Sequence, residues 1–378
     1  MATIALTADL TARTGSPWWV SLLFVVTFLP SMVLGLVAGP LVDRLSRKRL
    51  IVNADLVRLA VFVALTFAHT PVAIVLLAAV AGAANSFFRP AVLAGVPNLV
   101  DDEDLAHGTS LLQATDWAAA AVGPVIGGTI VSVWSPDVVY WINAATFLFS
   151  ALLLMRISAR LLQSEQAITR GHWRDLAEGL GAFGGSPALL TALVAFGLAM
   201  VSVGFNNVAE IFLAERSLHR GPFGYGLLWT ATGIGLVIGS LVSGSLLERR
   251  DVRSVYPLVF VPWAIGLFGA GVAPDIWLAA LAMVVAGFGN GLTFPMTVVI
   301  VQRNTSDRLR GRAFTVIISV HNAVLGLAMV GAGALLSSVG PRWTYVLAAA
   351  LLALGGGTAF ALVRTARVPG AIGDEPAT

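Results

Sequence analysis

The sequence predicts an all-α integral membrane protein made of two related helical bundles. Three observations lead to this fold class: the composition, an internal repeat and the distribution of apolar runs. The chain has 378 residues, of which 57% are hydrophobic and only 11% are charged. Charged residues make up about a quarter of a typical soluble domain. With a mean hydropathy of +0.86 as well, the chain is expected to lie in lipid.

The internal repeat has an offset of 205 residues. Residues 39–44, GPLVDR, return as residues 244–249, GSLLER. Asn85, which follows an Ala-Gly pair, returns as Asn290 after a second Ala-Gly pair. Repeated halves that face each other are a common architecture of secondary transporters, in which the substrate site lies between the repeats.

Apolar runs of about 20 residues predict eleven complete membrane-spanning helices. They cover residues 18–42, 50–68, 72–97, 109–134, 137–157, 187–213, 222–247, 253–273, 275–301, 312–337 and 342–364. The connections between them are short, so consecutive helices are expected to be antiparallel neighbours. The predicted units are an N-terminal bundle (1–157), a polar linker (158–186), a C-terminal bundle (187–364) and a tail (365–378).

The repeat also predicts a first helix that is incomplete. Residues 187–213 open the second half, and most of their counterpart in the first half would lie before Met1. Residues 1–14 are therefore interpreted as the end of this first helix. A signal peptide is disfavoured, because the segment lacks a basic start and contains Asp9. We expect a twelve-helix parent whose start was truncated or misassigned by roughly 20–30 residues.

The distribution of basic residues predicts the orientation in the membrane. All but four of the 23 arginines and lysines fall in one set of loops and adjoining helix ends, here called the arginine-rich end. The opposite, arginine-poor end contains Arg13, Arg216, Arg220 and Arg342. Because basic loops stay inside, the arginine-rich end, the linker and the C-terminus are expected on the cytoplasmic side of the cell membrane.

A motif after the first complete span points to a family. Residues 39–49, GPLVDRLSRKR, closely resemble the loop signature of the major facilitator superfamily. Residues 87–91, FFRPA, and 310–312, RGR, resemble the efflux branch that contains macrolide and enterobactin exporters. The residues that carry the loop signature and its continuation are Gly39, Asp43, Arg44, Arg47, Lys48, Asp55 and Arg58.

The resemblance implies a gate at the cytoplasmic side. In this family the Asp43 contact locks the gate and breaks as the two bundles rock, and Glu248 with Arg249 forms the second copy. Alternatively, the basic residues of the signature only set the topology.

A second motif, GPVIGG, lies midway along the span 109–134 and resembles the antiporter signature of the superfamily's exporters. Its residues are Gly123, Pro124, Gly127 and Gly128. The resemblance implies export rather than import. Alternatively, these residues form only a packing seam, since small residues allow close helix approach. The second half has Ala328-Met329 in place of Gly123-Pro124, so the motif is not duplicated.

Three ionisable residues within predicted spans are candidates for proton coupling: Asp116, Glu210 and His321. Ionisable groups inside a membrane are costly and often functional. Asp116 and His321 lie one repeat apart and could exchange protons as the halves move. Alternatively, each residue pairs with a neighbouring arginine or lines a wet vestibule.

The resemblance also implies which residues line the substrate cavity. The candidates are Asn85, Phe88, Phe205, Asn206, Asn207, Asn290, Thr293 and Phe294. This mixture of aromatic rings and neutral amides suits a bulky amphipathic compound better than a sugar or a small anion. Packing is an equally good explanation for any single one of them.

Other classes of function are disfavoured. The chain contains no cysteine, its only lysine is Lys48, and its five histidines have no metal-binding spacing. We therefore expect no enzyme, no metal, no cofactor and no nucleic-acid partner. The predicted function is export of a drug- or siderophore-like small molecule by a proton-coupled, monomeric secondary transporter. Uptake by the same fold, and a non-transporting sensor or inactive remnant, are the alternatives.

Overall fold

The computed structural model describes residues 1–37, 46–95, 105–158, 186–305 and 307–365. The α-helices are α1 (Ala2–Thr14), α2 (Pro17–Val37), α3 (Arg47–Leu65), α4 (Pro71–Gly95), α5 (Leu105–Val133), α6 (Pro136–Arg156), α7 (Pro187–Phe212), α8 (Gly221–Arg249), α9 (Val252–Val255), α10 (Phe260–Val272), α11 (Ile276–Asn304) and α12 (Asp307–Thr365). A π-helical turn, Leu213–Ser217, extends α7, and a 3-10 helix, Tyr256–Val259, joins α9 to α10.

The predicted all-α membrane fold is confirmed. Among the described residues, seven helices are long and apolar enough to cross a membrane, and α2 and α5 contain shorter apolar stretches. The predicted span 50–68 corresponds to α3, which falls outside the seven because five of its 19 residues are charged. The last two predicted spans form the single element α12, which breaks at Gly340, where φ is 79°. The predicted linker and tail lie outside the described residues except at their ends.

Local sequence signals explain where several helices begin. Pro136, Pro187 and Pro222 occupy the first turns of α6, α7 and α8, where a missing backbone N–H costs no hydrogen bond. The Asp275 carboxylate accepts hydrogen bonds from two backbone amides in the first turn of α11. Gly15 ends α1 with a φ of 58°, a conformation that glycine adopts without strain.

The helices pack into two bundles, α1–α6 and α7–α12, that follow the same plan. In the first bundle α2 and α3 both pack on α4, and in the second α8 and α10 both pack on α11. The bundles meet where α5 packs against α8 and where α2 packs against α12. Under the 205-residue offset, α2 corresponds to α8 and α5 to the first part of α12. The two contact regions are therefore related by the repeat, as a pseudo-twofold arrangement requires.

A buried ion pair ties α3 to its neighbours in the first bundle. The Asp55 carboxylate pairs with the Arg58 guanidinium and accepts a hydrogen bond from Ser150 Oγ in α6 at 2.6 Å. The guanidinium carbon lies 4.1 Å from the centre of the Phe88 ring and 4.6 Å from that of Phe147. Because the exposed fractions of Asp55 and Arg58 are only 1% and 8%, neither charge is solvated.

We expect Asp55→Ala to lower the free energy of unfolding by about 3–5 kcal/mol, since it leaves the Arg58 charge buried without its partner. Thermal unfolding of the detergent-purified protein measures this. Asp137→Asn is the matched control, because Asp137 is exposed in the first turn of α6 and contributes less than about 1 kcal/mol. Equal, small effects of the two substitutions would contradict the structural role of the ion pair.

Candidate functional site

The first seam between the bundles is formed by glycines of α5 and α8. A methyl group added to Gly128 would collide with the Pro222 carbonyl oxygen and come within 3.2 Å of Gly226 Cα. A methyl group added to Gly226 would in turn collide with the Pro124 carbonyl oxygen. The two backbones can approach this closely only because neither glycine has a side chain. Pro124 and Gly128 of the GPVIGG motif thus lie directly against the other bundle, whereas Gly123 and Gly127 face Met1 at the start of the first bundle.

A hydrogen bond crosses the same seam. The backbone amide of Val125 donates to the Thr230 hydroxyl of α8 at 3.2 Å. Pro124, the preceding residue, has no amide hydrogen and can bend the helix. The bond joins the two bundles, so a separation of the bundles at this seam would break it.

Thr230→Val removes this acceptor with little change of volume, whereas Thr230→Ser keeps it. We expect the valine variant to weaken seam closure by about 0.5–1.5 kcal/mol, which raises the open population about two- to tenfold. The labelling rate of a single cysteine introduced by Ser21→Cys reports this, because Ser21 is only 2% exposed where α2 packs against α12 of the other bundle. Equal labelling rates in the valine and serine variants would show that the bond does not hold the seam.

The second seam repeats the geometry of the first between α2 and α12. A methyl group added to Gly333 would lie 2.7 Å from Ser21 Oγ and 3.3 Å from the Trp18 ring. Gly333 is the repeat counterpart of Gly128, and Ser21 is that of Gly226. This pair was not predicted, because Ala328-Met329 replaces Gly123-Pro124 and the motif as a whole is not duplicated. The shared 205-residue offset could have found it.

These bridging contacts lie in the arginine-poor half of the molecule. The side chain of Arg216, just beyond α7, donates a hydrogen bond to the Gly15 carbonyl oxygen between α1 and α2. Arg342 donates to the carbonyl oxygens of Gly271 and Ala273 and so caps the end of α10. On the arginine-rich side of the first seam, α5 exposes a run of residues. They are Leu111, Thr115, Ala118, Ala119 and Ala120.

Glu210 of α7 lies behind the first seam and is almost completely buried, with an exposed fraction of 2%. Its Oε2 accepts a weak hydrogen bond from Asn206 Nδ2 at 3.4 Å, and its Oε1 has no hydrogen-bond partner. The hydroxyls of Tyr225 in α8 and Tyr345 in α12 lie within electrostatic range of this carboxylate. Glu210 forms no salt bridge with any described arginine or lysine. An isolated charge at such a depth is costly.

The first bundle contains a similar arrangement with one difference. Asp9 of α1 accepts a hydrogen bond from Tyr140 at 3.1 Å, and Tyr140 is the repeat counterpart of Tyr345. Asp9 also forms a 2.6 Å salt bridge with Arg13, four residues later. Four residues after Glu210 the chain has Ala214. The carboxylate of the second bundle therefore lacks the arginine that neutralises the carboxylate of the first.

The other two coupling candidates are His321 and Asp116. His321 of α12 is 3% exposed, and its Nε2 lies 3.4 Å from the Leu193 carbonyl oxygen. Its ring packs edge-on against Phe196 with the centroids 4.4 Å apart. Asp116 is partly exposed on α5.

The cavity candidates have varied surroundings. Asn85 of α4 is exposed and accepts a 3.4 Å hydrogen bond from Arg58, so it shares the ion-pair cluster with Phe88. Phe294 of α11 is 54% exposed. Thr293 is fully buried and donates to a carbonyl within its own helix at 2.8 Å. The partly buried candidates are Phe205, Asn206, Asn207 and Asn290.

Part of the loop signature can be located. The Lys48 ammonium donates to the carbonyl oxygens of Met155 and Ile157 at 2.7 and 2.6 Å, so it caps the end of α6. Arg47 begins α3, and Glu248 and Arg249 are exposed at the end of α8. The signature residues outside the described part of the chain are Gly39, Asp43 and Arg44.

Comparisons with known proteins agree with this architecture. The family model described as Major Facilitator Superfamily matches residues 1–218 and again residues 199–377. The multidrug efflux pump Tap of Mycolicibacterium fortuitum is 26% identical over 357 residues, which cover 90% of this chain and 86% of the relative. The macrolide efflux protein A of Streptococcus pyogenes is 22% identical, with 91% and 87% covered. A crystal structure of a mutant of the nucleoside transporter NupG has a TM-score of 0.77 at 15% identity, with 96% and 95% covered.

Proposed function

The chain belongs to the major facilitator superfamily, and we propose that it exports an amphipathic small molecule from the cytoplasm in exchange for protons. It is a multi-pass membrane transporter of small molecules, as its family membership and apolar helices show. Export is supported by the printed functions of its relatives, a multidrug efflux pump and a macrolide efflux protein. The GPVIGG motif at the seam supports the same direction.

The observation that carries proton coupling is the buried carboxylate of Glu210, which has no cationic partner among the described residues. A buried carboxylate is costly to keep charged, whereas a carboxylate in contact with water ionises easily. Such a group can take up a proton on one side of the membrane and release it on the other. The groups that face it are neutral: Asn206 on its own helix, Tyr225 of α8 and Tyr345 of α12.

The two seams support a mechanism of alternating access. They join the bundles in the arginine-poor half, which we place on the outer side by the arginine distribution. The present arrangement is then closed on the outer side. Rocking of the 1–157 bundle against the 187–364 bundle would separate the glycine seams and open the outer side. A monomer suffices for this cycle.

The substrate is proposed to bind between the bundles near Asn85, Asn290, Phe205 and Phe294. These side chains offer amide groups and aromatic faces without a fixed charge, which suits an amphipathic compound.

Inverted membrane vesicles with an imposed pH gradient test the proposal. A panel of amphipathic dyes and drugs should accumulate inside the vesicles when the lumen is acidic, and the accumulation should collapse when a protonophore is added. Accumulation that needs no proton gradient would refute proton coupling, and movement only in the opposite direction would favour uptake.

A further inference from the structure

A cleft of about 430 Å³ lies at the arginine-rich end of the second bundle. It separates the end of α8 from the segment α9–α10, because both parts pack on α11 rather than on each other. Its volume falls in the range of about 300–1,000 Å³ that is usual for ligand sites. The side chains that line it include Leu246, Arg250, Ser254, Val255, Leu258 and, from α11, Leu292.

The polar part of the cleft carries a positive charge. Arg250 directly follows α8, and both Arg250 and Ser254 are exposed. The Asp251 carboxylate accepts a hydrogen bond from the backbone amide of Arg253 at 3.1 Å and so helps to begin α9. Neither Asp251 nor the exposed Glu248 forms a salt bridge with Arg250. The cleft therefore presents a guanidinium whose charge no described carboxylate neutralises.

The cleft continues into apolar surface on both of its sides. On α8, the exposed Val242 lies one turn before Leu246. On the other side, Val261 and Ile265 lie one and two turns after Leu258, and all three are at least 50% exposed. Residues three or four positions apart share one face of a helix, so each side forms an apolar stripe. The two stripes run from the cleft toward the middle of the membrane.

The length of α8 places the charged part of the cleft at the level of the lipid headgroups. Its 29 residues span about 44 Å, which exceeds the hydrocarbon core of about 30 Å. The last turn, which contains Glu248 and Arg249, therefore emerges from the core. By the arginine distribution this end faces the cytoplasm, where the leaflet contains anionic lipids.

The chemistry of the cleft selects its occupant. A guanidinium forms strong, charge-assisted hydrogen bonds with phosphate oxygens, and a hydroxyl such as that of Ser254 can donate another. The apolar stripes suit acyl chains, which a soluble phosphate compound lacks. An anionic headgroup is favoured over a zwitterionic one, because the latter brings a cation of its own beside Arg250. Basic pockets between membrane helices at the cytoplasmic side bind anionic headgroups in the same way.

We propose that this cleft binds one anionic phospholipid of the inner leaflet, with its phosphate at Arg250 and Ser254 and its acyl chains along α8 and α10. The inference uses the orientation given by the arginine distribution and is independent of the transported substrate and of proton coupling. The lining residues all belong to the second bundle. The lipid is therefore expected to stabilise that bundle by mass action without joining the two bundles.

The test measures thermal unfolding of the purified, full-length protein in a neutral detergent during titration with phosphatidylglycerol. We expect a saturable rise of the unfolding midpoint, and a much smaller rise with phosphatidylcholine of the same chains. Arg250→Gln should weaken the apparent affinity for phosphatidylglycerol about fivefold, which is the contribution of one basic residue near a membrane surface. Arg250→Lys should retain most of the affinity, because it keeps the charge.

Two further variants locate the effect. Arg303→Gln is the matched control, since it removes the same charge from an exposed position at the end of α11, outside the cleft. It should leave the affinity for phosphatidylglycerol unchanged. Ser254→Glu places a carboxylate in the cleft at an exposed position, where the fold tolerates it, and should weaken binding at least as much as Arg250→Gln.

Several outcomes would overturn the site. Equal rises with phosphatidylglycerol and phosphatidylcholine would show that the charge is not read. Equal losses in Arg250→Gln and Arg303→Gln would show a general effect of surface charge. A phosphatidylglycerol-specific rise that survives both Arg250→Gln and Ser254→Glu would place the lipid elsewhere. Glycerol phosphate, which has no acyl chains, should leave the midpoint unchanged, and a full rise with it would assign the cleft to a soluble anion.

Discussion

Glu210→Gln is expected to abolish the accumulation of substrate driven by a pH gradient. One pH unit stores about 1.4 kcal/mol per proton, which corresponds to a tenfold accumulation ratio. If Glu210 carries the coupled proton, its loss should reduce the ratio by about tenfold for each pH unit imposed. Glutamine keeps the size of the side chain and can still bond to Asn206, so the buried core around it should survive.

Substrate exchange at equal pH separates a loss of coupling from a loss of folding. The Glu210→Gln variant should still exchange labelled for unlabelled substrate across the membrane, because that process needs no net proton movement. Glu215→Gln is the matched control, since Glu215 lies in the π-helical turn after α7 and is partly exposed. Normal pH-driven accumulation in Glu210→Gln would show that another group carries the proton.

Gly128→Ala should have the second large effect, out of proportion to the single methyl group added. That methyl group would collide with the backbone oxygen of Pro222, which cannot rotate away as a side chain could. Overpacking of this kind costs about 1–3 kcal/mol. Because it destabilises the outward-closed state, the population of that state should fall about 5- to 150-fold. Transport should fall with it, because the cycle needs a sealed outer side.

Gly331→Ala is the control for this experiment. Gly331 lies on α12, two residues before the second seam, and a methyl group added there meets open space. It should leave transport unchanged and stabilise the helix by about 0.5–1 kcal/mol, as alanine does relative to glycine. Gly333→Ala should be intermediate, since the first atom that its methyl group meets is the movable Ser21 hydroxyl. Similar transport in Gly128→Ala and Gly331→Ala would contradict the close seam.

The sequence was sufficient for the architecture because lipid imposes simple rules. A helix that crosses the bilayer must be long, apolar and internally hydrogen-bonded, so the apolar runs coincide with helices. The repeat then predicted which helices correspond, and α5 with α8 and α2 with α12 meet as that symmetry requires. Asp55 and Arg58 of α3 could be recognised in the sequence as part of a family motif. The hydrogen bond from Ser150 to Asp55 could not be predicted, because Ser150 is 95 residues away.

The candidate site was only partly predictable. Glu210 stood out because an acidic residue inside a span is rare, and Asn206 lies one turn before it. Tyr225 and Tyr345 carry no such signal, since a tyrosine in a membrane helix is usually a packing residue. The four tyrosines of the chain are all at most 1% exposed, and Tyr140 and Tyr345 are one repeat apart. The 205-residue spacing of Tyr140 and Tyr345 was the one hint in the sequence that each bundle places a tyrosine beside a carboxylate.

The most direct test of the account follows two distances in one cycle. The chain contains no cysteine, so pairs of cysteines for spin labels can be introduced without first replacing native ones. One pair, Val133→Cys with His219→Cys, joins the end of α5 to a residue two positions before α8 at the arginine-poor end. The other pair, Leu111→Cys with Ser245→Cys, joins α5 to α8 at the arginine-rich end. All four positions are exposed. Two bundles that rock about a shared axis require the distances to change in opposite directions when substrate or pH shifts the equilibrium. Distances that stay fixed, or that rise and fall together, would contradict alternating access in this protein.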